Sequence, residues 1–418
     1  MTSTLQTTLG RIVDTAFAIE RDFLAEMVKV PTDNPPGDCV AHAERTHCLL
    51  ESMGLPVEAH PVPGDTVRAA GMISATNLIV RHRFGEGGPC IALNAHGDVV
   101  PPGLGWTRDP YGGEVSNDPV HGPIMYGRGV AVSKSDFATY TYALRALQEL
   151  ARGGYALNGS VELHFTYDEE VGGEIGPRWL LAQGLSRPDY VICAGFSYAV
   201  TTAHNGCLHL EVTVRGKQGH AAMPESGIDA LSAATNILKS IYDSRETLKT
   251  RRSSVPGITH STINVGLIEG GINTNVVPDR VTFRIDRRMI PEENPEHAEA
   301  ELRGIIERAA AACNGIRVEI RRIMLALPLV HVPGAERLTQ ALRRHGEAFF
   351  GVPIGEHGVP LYTDARHYAN VGIPTVLYGA GPRTLAEANG HAADECLRLN
   401  DLRGATATVA CTLAEILS

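Results

Sequence analysis

Ile91-Ala92-Leu93-Asn94-Ala95-His96-Gly97-Asp98 is a short apolar run that ends in titratable residues. Ile91 to Asn94 does not alternate apolar with polar positions, which marks a strand covered on both faces. Such strands belong to sheets sandwiched between helices. The neighbouring sequence agrees. Helical spacing appears in Ile12, Val13, Ala16 and Phe17, over 40–53 and over 137–151. Strand patterns appear over 76–83, 89–94, 159–167 and 190–194. The order predicts an α/β domain with a mostly parallel sheet and flanking helices. Asp33-Asn34-Pro35-Pro36-Gly37-Asp38 is a strong chain breaker inside it.

The middle of the chain reads differently. Leu208-His209-Leu210-Glu211-Val212-Thr213-Val214 alternates without a break, as a half-exposed strand does. A helix over 229–242 comes next, then strands over 262–268 and 280–285, a helix over 295–312 and a strand over 316–323. That β-α-β-β-α-β order is the ferredoxin-like module. After about residue 325 the first pattern resumes. The expectation is a larger α/β domain formed by 1–206 and 325–418, interrupted by an inserted α+β domain over 207–324.

Size and composition narrow the function. A single core stops growing at about 250–300 residues, so 418 residues suit two domains. Lys and Arg number 37 against 47 Asp and Glu, a net charge of -10, which argues against non-specific nucleic-acid binding. No apolar run has the length of a membrane helix. The start of the chain lacks a basic, continuously apolar leader. Eight scattered cysteines without a CxxC pair read as buried thiols in a reducing cytoplasm rather than a disulfide framework or a Cys-built zinc site. Cys193 and Cys207 have no base beside them in sequence, which argues against a thiol nucleophile.

Three clusters carry chemistry. His96 with Asp98 closes a buried strand, and ligands in open α/β sheets sit beyond such strand ends. The carboxylate two residues on can take one imidazole N–H and aim the other nitrogen at a metal. Asp168-Glu169-Glu170 also comes directly after a strand. Adjacent carboxylates repel unless a cation or a function offsets them. Gly390-His391-Ala392-Ala393-Asp394-Glu395 reads as the opening of the last helix, with His391 near its N-terminus. Taken singly, these are a solvated turn, an acidic loop and a capping region.

Together they resemble the metallopeptidase family of acetylornithine deacetylase, succinyl-diaminopimelate desuccinylase, aminoacylase-1 and carboxypeptidase G. The resemblance covers nearly the whole chain. It runs through His96-Gly97-Asp98, Gly105-Trp106, Tyr126-Gly127-Arg128-Gly129, Lys134, Asp168-Glu169-Glu170 and Gly219-His220-Ala221-Ala222. It continues through Gly270-Gly271, Asn275-Val276-Val277-Pro278, Asp286-Arg287-Arg288, Thr363-Asp364-Ala365-Arg366 and His391 to Glu395. It implies a zinc-peptidase-like catalytic domain and an inserted lid through which subunits dimerise, alone or within a larger homo-oligomer. It further implies His96, Glu170 and His391 as metal ligands, Asp98 as the orienter of His96, and Glu169 as general base. His220 matches a lid histidine that stabilises the oxyanion in the partner subunit's site. Asn275 and Arg288 match substrate-binding positions, and the forked donors of Arg288 suit a carboxylate.

Two departures matter. In the family run glycine-arginine-glycine is followed by two small residues and an aspartate that bridges two metals; here that place is Val132. The usual acidic ligand after Asp189 and its strand falls on Gly195. His96, Glu170 and His391 remain, and three protein ligands with water make an open site for one ion. Asp136, one helical turn after Val132, and His204 are candidate replacement ligands. The expectation is one loosely held divalent transition metal (Mn, Zn or Co) per subunit and hydrolysis of a non-ester C–N bond in a small carboxylate. 5-Nitroanthranilate aminohydrolase, a distant member, illustrates a reaction whose substrate carries its own electron sink. The alternatives are a dipeptidase or N-acyl amino acid deacylase, and a non-catalytic binder of small acids.

Overall fold

The computed structural model describes residues 2–418, without the side chains of Thr2 and Ser3. The apolar run that ends at His96 forms the strand Cys90–His96, buried from Ile91 onward. It lies inside an eight-stranded sheet. The strand order is Val57–Pro61, Thr76–Gly85, Gly159–Thr166, Cys90–His96, Tyr190–Cys193, Thr375–Leu377, Ala199–His204 and Gly355–Val359. The centre is parallel: Cys90–His96 pairs this way with both neighbours, and Tyr190–Cys193 with Thr375–Leu377. Antiparallel strands flank that centre, so the sheet is mixed.

Strand register brings the polar segments together. His96 lies beside Thr166, and Asn94 lies beside both His164 and Cys193. Parallel strands in this register release the chain on one edge of the sheet. The segments beginning at Gly97, Tyr167 and Ala194 therefore emerge side by side.

Helices Thr2–Val28, Lys134–Arg152, Glu336–Phe350 and Leu399–Ile416 pack with one another over the same unit. Phe137 stacks on Phe165 at 4.1 Å and joins helix to sheet. The chain divides into two compact units. One comprises residues 1–202, 331–356 and 363–418; the other comprises 203–330 and 357–362. The second is built on an antiparallel sheet in the order Thr262–Gly270, Arg280–Met289, Gly206–Arg215, Arg317–Ala326. Helices Ala230–Thr250 and Pro295–Ala311 cover one face of it, over Leu208, Leu210, Val212, Phe283 and Ile285. Asp229 caps the first helix by accepting from the Leu231 and Ser232 amides, and Asn294 caps the second by accepting from His297. Among the described residues, no helix is long and apolar enough to cross a membrane.

Three local expectations shift. The helix expected over 229–242 runs to Thr250, because Leu248 is buried on the face that carries Ile237 and Ile241. The helix expected over 137–151 starts at Lys134. His391 does not open a helix. Residues 388–395 are irregular, Asn389, His391 and Asp394 take left-handed φ of 51°, 64° and 56°, and a strand Cys396–Arg398 precedes the helix Leu399–Ile416. Three left-handed residues cannot continue a right-handed turn.

Glu20 is fully buried, and its Oε1 accepts from the Thr406 hydroxyl. Its Oε2 has no hydrogen-bond partner. Burial raises its pKa well above the ordinary carboxylate value, opposed by the Thr406 hydrogen bond. A raised folded-state pKa gives stability that is complete below the unfolded pKa and is lost as pH rises through the folded one. Glu20→Gln should therefore raise the unfolding temperature at pH 8, with the gain shrinking towards pH 5. A thermal melt at the two pH values checks this, and a pH-independent difference would contradict it.

Candidate functional site

Asp98 sits at the centre of the first unit's polar cluster. The carboxylate is fully buried. Its Oδ1 accepts from the Glu169 amide at 3.2 Å, and Oδ2 accepts from the Glu170 amide at 3.1 Å and from Asn34 Nδ2 at 3.0 Å. The His96 ring approaches the same residue: Nδ1 is 3.0 Å from the Asp98 carbonyl oxygen and 3.4 Å from Oδ1. With Nδ1 so engaged, Nε2 faces Glu169, whose Oε2 is 3.9 Å away. Gly97 belongs between the two residues for steric reasons: a Cβ there would lie 2.6 Å from the Tyr167 ring.

Ligand atoms of His96, Glu169 and Glu170 lie within 4.8 Å of one another. His391 extends the group, with Nε2 at 3.3 Å from Glu170 Oε1. That oxygen is buried and has no aligned hydrogen bond. Burial alone would discharge His96, yet the carboxylates of Glu169, Asp98 and Glu170 outweigh it and hold the imidazole pKa well above its ordinary value. Glu169 is pushed the other way from an ordinary acid, upward, first by burial and then by Glu170, with His96 opposing. The residues therefore fit a divalent cation: two imidazoles and two carboxylates gathered in an excess of negative charge.

The His391 loop is held by two anchors. Asp394 accepts from the amide and hydroxyl of Thr107 at 2.9 and 2.8 Å. Glu395 Oε2 accepts from Arg128 Nη1 at 2.6 Å, and its Oε1 accepts from the Ala131 and Val132 amides at 3.0 and 3.2 Å. Val132 is thereby fixed by its backbone, and its side chain offers no ligand atom. Gly195 has no room for a side chain on this backbone, since a Cβ there would lie 2.8 Å from Leu377 Cβ and from the Tyr378 nitrogen.

Asp136 is buried, and its Oδ1 accepts from the Ala380 amide at 2.7 Å. Burial lifts its pKa to about 7, against the backbone amides of Ala380 and Gly195. Its carboxylate fastens those two segments and is outside the group that converges on His96. Lys134, also buried, donates to the Val30 carbonyl at 2.9 Å, and burial pushes its pKa down to about 7. Asn34 and the grip of Asp98 on the 169–170 amides escaped the sequence reading. The Asn34-Pro35-Pro36 breaker marked a turn, but nothing local showed which carboxylate it would meet.

The remaining predicted residues belong to the second unit. His204 is buried and bridged to Leu329 through backbone hydrogen bonds. His220 is on a two-stranded ribbon of Gly219–His220 with Val276–Val277. Asn275 meets it there, its carbonyl accepting from the Ala221 amide at 3.0 Å. The Ala222 amide donates to His220 Nδ1 at 3.1 Å, which leaves the proton of the neutral ring on Nε2. Arg288 is held by Asp286: Nε donates to Oδ1 at 2.9 Å and Nη2 to Oδ2 at 3.0 Å.

Comparison with known proteins agrees with this architecture. Residues 92–415 match the family described as Peptidase family M20/M25/M40. The acetylornithine deacetylase of Edwardsiella ictaluri is 28% identical over 338 residues, 79% of this chain and 80% of that protein. The succinyl-diaminopimelate desuccinylase of Rhodospirillum centenum is 28% identical over 299 residues, 69% and 72% of the two chains. The solved structure of the di-peptidase Dug1p from Saccharomyces cerevisiae superposes with a TM-score of 0.79 at 14% identity, covering 100% of this chain and 99% of that one. The chain belongs to the M20/M25/M40 peptidase family. It is a metal-dependent hydrolase of C–N bonds.

The Arg128–Glu395 pair is 1% and 0% exposed, so truncating one partner strands a buried charge. Arg128→Ala should cost about 3–5 kcal/mol of stability, read as a lowered denaturation midpoint with unchanged slope. A loss comparable with that of a surface substitution would contradict it.

Proposed function

We propose that the protein hydrolyses an amide C–N bond in a small carboxylate, using one divalent cation per subunit. The observation that carries this is the convergence of His96, Glu169 and Glu170 within 4.8 Å, with Val132 and Gly195 at the two positions where a further ligand would stand. His96, Glu170 and His391 would hold the ion. When bound, it supplies acidity to water and polarises a carbonyl. Glu169 takes the proton from the attacking water and returns it to the leaving nitrogen. Asp98 keeps His96 in one orientation through Nδ1. His220 would offer its Nε2 proton to the developing oxyanion in the partner subunit's site, and Arg288 and Asn275 would bind the substrate, Arg288 through its carboxylate. Mn, Zn and Co all accept this mixture of imidazole and carboxylate.

The relatives named acetylornithine deacetylase and succinyl-diaminopimelate desuccinylase make N-acyl amino acids the first substrates to offer, with dipeptides beside them. One observation favours a second reading. Without ligand atoms at Val132 and Gly195, carbonyl polarisation by a second ion is weakened, which suits hydrolysis of an electron-poor aromatic amine of the 5-nitroanthranilate kind. A non-catalytic binder of small acids is disfavoured by the retained Glu169, Glu170, His391, His220 and Arg288, which no scaffold requires.

Elemental analysis should give about one metal per chain, and two tightly held ions would overturn the reduced centre. Against N-acetyl and N-succinyl amino acids, dipeptides and 5-nitroanthranilate, Glu169→Gln should lower kcat by about 10²–10⁴-fold while metal content stays the same. An unchanged kcat would remove Glu169 from the reaction.

The second unit is also proposed as the dimerisation element. Its edge strand Thr262–Gly270 exposes Leu267 and Ile268 at 60% and 54%, and Ile272 beyond it is 71% exposed. An apolar sheet edge of this kind invites a second copy. Leu267→Lys with Ile268→Lys should shift the mass measured by light scattering from dimer to monomer, and an unchanged dimer would exclude this edge. A reducing cytoplasm suits the eight cysteines, none of which forms a disulfide.

A further inference from the structure

The second unit carries another convergent group. Cys207 and His209 are two residues apart on the strand Gly206–Arg215, so their side chains share a face. Asp286, on the neighbouring strand, is directly opposite His209 in the ladder. Ligand atoms of the three lie within 4.8 Å of one another. His209 Nε2 is 3.0 Å from Asp286 Oδ2, and Cys207 Sγ is 3.9 Å from the same oxygen.

We propose that Cys207, His209 and Asp286 form a binding site for a thiophilic divalent cation of the zinc class, in a different unit from the His96 group.

Both separations from Asp286 are near those of ligands around an ion, and all three ligand atoms lie within 4.8 Å of one another. Zinc binds sulfur at about 2.3 Å and nitrogen or oxygen at about 2.0–2.2 Å. At tetrahedral angles those bonds set N and O about 3.3 Å apart and S and O about 3.5 Å apart. The observed separations of 3.0 and 3.9 Å need shifts of only a few tenths of an ångström. The residue types are a soft thiolate, an imidazole and a carboxylate, the mixture that zinc accepts with a fourth position left to water. Residues x and x+2 of one strand with a cross-strand third give a stiff platform, because the ladder fixes the Cβ positions.

The surroundings supply what a ligand carboxylate needs. Arg288 Nε donates to Asp286 Oδ1 at 2.9 Å and to Oδ2 at 3.3 Å, which orients the group with Oδ2 also facing Cys207 and His209. Binding releases one proton from the Cys207 thiol to solvent. It also displaces the Arg288 Nη2 hydrogen bond at Oδ2, now 3.0 Å long. An ion here would therefore loosen Arg288. That consequence rests on the substrate role proposed for Arg288, whereas the site itself does not.

The test is cobalt substitution, read by absorbance rather than by turnover. Co²⁺ added to the full chain should give a near-ultraviolet thiolate-to-cobalt charge-transfer band that Zn²⁺ displaces. The His96 group contains no sulfur, so the same band should appear in Glu170→Gln. Cys207→Ser should abolish it, and His209→Gln, at a half-buried position that tolerates the change, should weaken Co²⁺ binding at least tenfold. No band in the wild-type chain, a band that persists in Cys207→Ser, or unchanged affinity in His209→Gln would each overturn the site. None of these outcomes bears on the C–N hydrolase reading, which turnover and metal content at the His96 group decide separately.

Discussion

The carboxylate of Asp98 ties its own segment to two others, one 64 residues earlier and one 71 residues later in sequence. One oxygen accepts from the Glu169 amide, the other from the Glu170 amide and Asn34, and the His96 ring lies against the same residue. A charged acceptor with several donors is stronger than neutral pairs, and it is buried where water cannot compete. Strand register sets His96 beside Thr166, and the Asp98 carboxylate then holds the turn that carries Glu169 and Glu170 against the His96 ring.

Backbone anchors and close packing surround that centre. Val132 is tied through its amide to Glu395, which is neutralised by Arg128 in a fully buried pair. Gly195 is pressed against Leu377 and Tyr378 so closely that no side chain fits. Asp136, a carboxylate near these segments, is taken up by the amide of Ala380. The departures from the family pattern are thus accompanied by a consistent set of backbone anchors.

Much of this was legible in the sequence because periodicity reports burial. Ile91 to Asn94, covered on both faces, announced the central strand, and the alternation over Leu208 to Val214 announced the second sheet. Where charge diluted the pattern, as in Asp243 to Glu246, the helix outran its reading because Leu248 still found a buried place. The His391 loop was misread as a helix start because Asp394 and Glu395 look like first-turn acids. Their partners, Thr107 and Arg128, lie more than 260 residues away in sequence.

By itself, the sequence determined the residue types, the element order and the family, since these depend on local pattern and on motifs in a fixed succession. It also showed that Val132 and Gly195 offer no ligand atoms. Only the tertiary structure decided which carboxylate serves which neighbour: Asp98 under the 169–170 turn, Asp136 on a backbone amide, Asp286 between His209 and Arg288. The physical reason is that a buried carboxylate takes its role from the donors that reach it, and those donors are brought by strand register and long-range packing.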